Sequence, residues 1–253
     1  MRFASHRDIA RAVERGVRRA ELPVAQSAGF SPHPKISYAG GAPTGAASEA
    51  EYLSLALTAR QAETQVCQRL NAALPDGIDV IDVIDEASGP AGSGGMASPQ
   101  DREVPRGGRA PRPALSGLEA SKWRVVLPGV GPAAARRAVA GFLALGEAPV
   151  ERLTDKGVRR LYARAAVVEM DVIETDVIET GPADPGGGLR AAATGHEDCA
   201  ILRMVVLHTA PAVRPEDILT ALRGQDGIVP SSPPMMTRLA QGPRALLVSK
   251  DAS

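Results

Sequence analysis

A chain of 253 residues, 44% of them hydrophobic, holds enough apolar material for one large or two small folded domains. Its 29 basic and 29 acidic side chains cancel, so the chain as a whole has no net charge to hold it to a polyanion. No run of about 18 apolar residues occurs and the Arg-rich start is broken rather than signal-like, which speaks against a membrane-spanning helix and against export.

The first element is a helix. Ser5 is placed to cap it, Asp8 follows three residues on as the return half of a capping box, and Ile9, Ala12, Val13, Gly16 and Val17 recur at helical spacing. Arg7, Arg11, Arg15 and Arg18 follow one another at steps of four, four and three, which lines four guanidiniums along the opposite ridge. Such a ridge is a candidate anion-binding surface. Next come strands at Lys35–Tyr38 and Ala50–Leu57, a helix at Arg60–Ala73 and a strand at Ile78–Ile84. This α-β-β-α-β order is a βαββαβ ferredoxin-like unit short of its opening strand, of which Arg2 and Phe3 would be the last residues. Charge is uneven here: residues 1–38 carry seven Lys or Arg against three Asp or Glu, and residues 39–86 two against eight. The basic part could meet phosphates and the acidic part could dock a basic partner.

Residues 87–119 contain seven Gly and five Pro in 33 positions and almost no large apolar residue, which reads as a disordered linker between a domain at 1–86 and another at 120–253. The second domain repeats the pattern. It has a strand at Lys122–Leu127, a helix at Pro132–Leu145 opened by proline, and a strand region at Val150–Glu174 turning near Lys156–Gly157. A strand at Cys199–His208, a helix at Pro215–Arg223 with Glu216 and Asp217 in its first turn, and a strand near Met235–Leu239 follow. A second flexible stretch at Gly181–Glu197 and a tandem DVIET at 171–180 complete the domain. The expected fold is therefore α+β, two ferredoxin-like halves joined by a disordered linker.

Among candidate site residues, the loop SAGFSPHPKIS is the sharpest. Gly29 permits a positive φ, and Pro32 and Pro34 hold the backbone extended around His33, which becomes a candidate general acid or base, phosphate contact or stacking surface beside Phe30. His6, at the first helical turn, is a second candidate acid or base, or simply a surface or capping residue. Lys35 joins the Arg ridge, and Tyr38 and Phe30 are the only Phe, Tyr or Trp between Ser5 and Gly45. The stretch GGAPTGAASEAEYL, with Thr44, Ser48, Glu49 and Glu51, is Gly-rich enough to cradle an anion or to form a simple connection, but it is neither a Walker A nor a GxGxxG motif. In DKGVRRLYAR an extended backbone would put Arg160, Tyr162 and Arg164 on one face. Cys67 and Cys199 lack CxxC spacing, so neither a zinc site nor a disulfide framework is suggested, no metal or cofactor is expected, and a reducing cytoplasm fits.

The stretches SHRD, ERGVRRAELPVA, SAGFSPHPKISYA and APTGAASEAEYL resemble the N-terminal half of the radical SAM-linked, or radical SAM-associated, protein family, with weaker likeness through DKGVRRLYAR and VRPEDILTAL. In that family a strand precedes the SHRD-like motif, so the opening strand is expected either upstream of Met1 or to be dispensable at the sheet edge. The resemblance implies a radical S-adenosylmethionine protein as partner. Since this chain has no CxxxCxxC for an iron–sulfur cluster, the radical chemistry would belong to that partner. The expectation is an accessory protein, its own enzyme activity left open but leaning against, that binds RNA or another phosphate-bearing ligand. The alternatives are an RNA-processing or RNA-modifying enzyme using His33, with or without His6, and a protein-docking adaptor with no ligand of its own.

Overall fold

The computed structural model describes residues 5–85, 115–155, 157–173, 199–226 and 228–248. Most of the expected linker, the stretch at Gly181–Glu197 and the second DVIET copy lie outside the described residues. The protein is α+β and forms two compact units, one of residues 3–41 and 52–117, the other of residues 42–51 and 118–253. Residues 42–51, expected to lie within the first domain, thus belong with the second unit.

In the first unit, helix α1 (His6–Arg19) starts as its sequence dictates: Ser5 Oγ accepts from the Asp8 amide, and the Asp8 carboxylate accepts from the Ser5 amide. That bonding to Ser5 holds the exposed Asp8 carboxyl below the usual carboxylate range. Ala12, Val13, Gly16 and Val17 are the buried face of α1. Val13 and Val17 pack with Val66 and Leu70 of α2 (Glu63–Ala73) and with Leu22, Val24, Ile36 and Leu55 in one apolar cluster. Gly16 is a packing requirement, because a Cβ there would sit 2.7 Å from Leu74 Cδ2. Arg19 donates to the Ala73 carbonyl and Arg69 to the Glu21 carbonyl, so each helix end is tied by an arginine from the other helix's side of the core. Strands β1 (Ile36–Tyr38) and β3 (Leu53–Leu55) pair antiparallel. The strand expected at Ile78–Ile84 does not form: the segment pairs with no described strand and is held by Asn71, whose side chain bonds both the amide and the carbonyl of Val80. A side-chain amide has taken the place of a strand neighbour.

The second unit is built on a five-stranded sheet of order β2-β9-β4-β8-β7, where β2 is Ala47–Ser48, β4 Ala120–Pro128, β7 Val167–Ile173, β8 Cys199–Leu207 and β9 Met235–Gly242. All neighbours are antiparallel except β2, which pairs parallel with β9 through Ala47–Thr237 and Ser48–Arg238. In β4 the residues alternate between buried and part-exposed, so Trp123, Val125 and Leu127 face the main core. Helices α3 (Pro132–Ala144) and α5 (Pro215–Asp226) cover that face through Ala135, Ala138, Phe142, Ile218 and Leu222. Between α3 and β7, strands β5 (Pro149–Thr154) and β6 (Gly157–Tyr162) form a separate two-stranded hairpin, followed by one helical turn, α4 (Ala163–Ala166). A last turn, α6 (Arg244–Leu247), packs Leu247 against Ala120 and Val205 on the opposite sheet face.

Phe142 has no exposed surface at the centre of the larger core. Phe142→Ala should cost about 3–5 kcal/mol of unfolding free energy, measured by urea titration, because neighbours anchored in strands and helices collapse only partly into the void.

Candidate functional site

The signature segment places its charges as the helical spacing requires. At 100° per residue, Arg7, Arg11, Arg15 and Arg18 fall within about 80° of arc on α1. All four are exposed, and none has a hydrogen bond or ion pair to another described residue. The facing of the helix explains this, since the apolar stripe claims the other side and leaves the guanidiniums on the exposed one.

Beyond α1 the loop at Ser27–His33 is closed at its base: Gln26 bridges Pro34, the Ser27 amide donates to the His33 carbonyl, and the His33 amide donates to Ser27 Oγ. Gly29 has a φ of 129°, a value that L side chains rarely adopt, and the next residue, Phe30, stands fully exposed at the tip. His33 and Lys35 are also exposed. Tyr38 instead serves the core. Its hydroxyl donates to the Ala10 carbonyl at 3.3 Å, and burial, with Glu14 nearby, pushes its pKa up to about 12. The His6 ring meets Tyr38 edge to face at 5.6 Å, and a Cβ on Gly41 would overlap that ring. His6 and His33 are not brought together. Tyr38, which His6 touches, lies five extended residues beyond His33, a span of about 16 Å.

In the hairpin of the second unit, Arg160 lies over the Tyr162 ring at 5.8 Å, as an extended backbone places alternate residues. Arg164 does not share that face: the chain turns helical at Ala163, and Arg164 donates to the carbonyls of Leu143 and Val167.

Sequence reasoning missed a polar cluster on the core side of the larger sheet. Ser121, Arg238 and Gln241 are 2%, 5% and 5% exposed. Arg238 lies over the Trp123 ring at 4.9 Å, and its Nη1 donates to Glu51 Oε1 at 3.0 Å. Burial lowers the Arg238 pKa from its ordinary value, opposed by the Glu51 carboxylate. Gln241 Nε2 donates to the Ala50 carbonyl at 2.5 Å, while Gln241 Oε1 is buried and accepts from no described group. Ser121 Oγ lies 2.5 Å from His208 Nε2, and His208 Nδ1 lies 2.7 Å from the Leu118 carbonyl. A carbonyl can only accept, so Nδ1 carries the proton and Nε2 of the neutral ring accepts from Ser121. The one available signal was weak: Arg238 and Gln241 sit three apart in a short strand, a spacing that suggests opposite faces.

These features define the class: a two-unit α+β protein with an exposed basic helix ridge in one unit and, in the other, buried Arg238 and Gln241 bonded to Glu51 and Ala50. The chain belongs to a bacterial family described as "Uncharacterized protein conserved in bacteria (DUF2344)", whose profile matches residues 1–215. The match thus takes in the ridge and the loop and ends at the start of α5, before Arg238 and Gln241. No curated protein matches the chain. Among the described residues no helix is long and apolar enough to cross a membrane, and no group of three or more His, Cys, Asp or Glu could hold a metal ion.

Burial, with Arg238 nearby, lowers the His208 pKa, and the Leu118 carbonyl opposes the shift. Below about pH 6.5 the unfolded chain therefore binds the proton more readily than the folded one, so His208 costs stability as pH falls and contributes no pH dependence above about 7. His208→Gln should flatten the decline in Tm between about pH 6.5 and 5 relative to the parent. Parallel Tm-against-pH curves for the two proteins would refute this.

Proposed function

We propose that the protein is a cytoplasmic accessory component that binds RNA, or another phosphate-bearing ligand, for a radical S-adenosylmethionine partner. The observation that carries the ligand is the α1 ridge: four exposed guanidiniums within one narrow arc, none of them in a hydrogen bond or ion pair with a described residue. Arginines left unpaired on a rigid helix meet successive phosphates without first breaking an ion pair, and counter-ion release then drives association. The fully exposed Phe30 adds a ring on which a base can stack. The partner rests on the resemblance of the signature stretches alone.

The ferredoxin-like reading of the second half is supported by its strand order. Taking β4, β7, β8 and β9 as first to fourth, the sheet runs fourth-first-third-second with α3 and α5 as the crossovers, and the β5–β6 hairpin is an insertion. Folds of this kind serve many functions, so the order supports the architecture and not the ligand. The first half offers α1, β1, β3 and α2 in the expected order, with the segment at 78–85 where a last strand would lie.

Binding to total cellular RNA should weaken with salt at a slope of about −3 in log K against log salt, as four or five phosphate contacts on a single strand require. Arg11→Glu with Arg15→Glu should cut that slope to about half and the affinity at least about tenfold, measured by filter binding. Binding indifferent to salt, or to the double substitution, would reject the reading. Recovery of a radical enzyme with the tagged protein from its native cells tests the partner, and isolation as a lone protein under gentle conditions would count against it.

A further inference from the structure

We propose that Arg238 and Gln241 form an oxyanion-binding site in the second unit, and that the chain's own Glu51 occupies it as a stand-in for a phosphate or carboxylate ligand. This site is separate from the α1 ridge and stands independently of the RNA reading.

The site exists because of one extra residue. Along β9, Gln241 is opposite Ser121 and Ala240 opposite Lys122, but Arg238 is opposite Trp123, so Leu239 is bulged out of register. The bulge turns Arg238 and Gln241, three residues apart, onto the same buried face, and bulges commonly re-aim side chains in this way beside functional sites. That face thus carries two donors, a guanidinium seated on an indole and a primary amide.

Both donors are directed at residues 42–51. Arg238 holds the Glu51 carboxylate, Gln241 holds the Ala50 carbonyl, and the Glu49 amide donates to the Arg238 carbonyl at 2.9 Å. The two sides of the ion pair differ. The Arg238 side chain is 7% exposed, and that of Glu51 is 41% exposed. The cation is built into the fold, whereas the carboxylate reaches in from solvent and can leave. An ion pair sunk only for stability gains little over apolar residues of similar volume, while a buried guanidinium stripped of its partner is strongly destabilising. The segment joins the sheet at its edge, where β2 contributes two residues in parallel pairing and Ala46 enters the core.

Gln241 fits a bistable arrangement. With residues 42–51 seated, Nε2 is spent on Ala50 and Oε1 is left buried without a donor. Departure of the segment frees Nε2 for the entering anion and opens Oε1 to water. The ligand therefore competes with Glu51 for Arg238 and releases residues 42–51.

The test is calorimetric titration of the full chain with inorganic phosphate and, separately, succinate. Glu51→Gln removes the internal competitor and should tighten binding of one of the two anions about tenfold, as expected when a self-occupied state no longer has to be vacated. Phosphate responding alone assigns a phosphate ligand, and succinate alone a carboxylate. Arg238→Gln and Gln241→Leu should each abolish the binding; because Arg238 is buried and its loss could unfold the unit, Gln241→Leu, of similar volume, decides if only one variant folds. Saturating anion should also speed deuterium exchange of the amides at residues 46–49. Arg11→Glu with Arg15→Glu should leave all of this unchanged, which separates failure here from failure of the ridge. No binding of either anion to Glu51→Gln, or binding that survives Gln241→Leu, overturns the proposal.

Discussion

Strand β4 is paired along its length to β8 on one side and to β9 on the other, and that double pairing governs the second unit. A strand held on both sides cannot slip by one residue without exchanging its buried and exposed faces. Trp123, Val125 and Leu127 are thereby committed to the helix-covered face, while Lys122, Arg124 and Val126 are committed to the other. The two crossover helices then have only one surface on which Phe142, Ile218 and Leu222 can be buried. Everything polar in that core has to be accommodated within this register.

The single departure from regular pairing between β4 and β9 is where the chemistry gathers. The bulge at Leu239 brings Arg238 under Glu51 and Gln241 under Ala50, beside the Ser121–His208 pair. Partial burial, with the Arg238 guanidinium nearby, favours the neutral His208 ring, and the Leu118 carbonyl fixes which nitrogen carries its proton. The two units thus present different kinds of positive charge. On α1 it is exposed, repeated and open to a polymer; at Arg238 it is single, stacked and closed by an internal carboxylate.

Much of this was legible in the sequence where the determinants are local. The α1 boundaries follow from Ser5 and Asp8, its buried stripe from the spacing of Ile9 to Val17, and the exposed ridge from the arginine steps. Helices α2, α3 and α5 and strands β4, β8 and β9 lie close to the expected positions, since each combines apolar periodicity with recognisable breakers. The segment at Ile78–Ile84 reads as a strand because its composition is β-prone. A strand also needs a neighbour, however, and here Asn71 supplies the hydrogen bonds instead. Arg164 was misplaced for a related reason: the extended pattern of GVRRLY continues through it, but the chain turns helical at Ala163.

By itself the sequence determined the elements with their own caps and periodicity, the basic ridge, and the exposure of a Pro-framed loop, because these depend on residues a few positions apart. Only the tertiary structure decided that residues 42–51 join the second unit's sheet, that His6 meets Tyr38 rather than His33, and that Glu51 closes on Arg238 across 187 positions of chain. Those contacts depend on strand register and on one bulged residue. No short-range pattern encodes them, since the pairing energy is shared among partners far apart in the sequence.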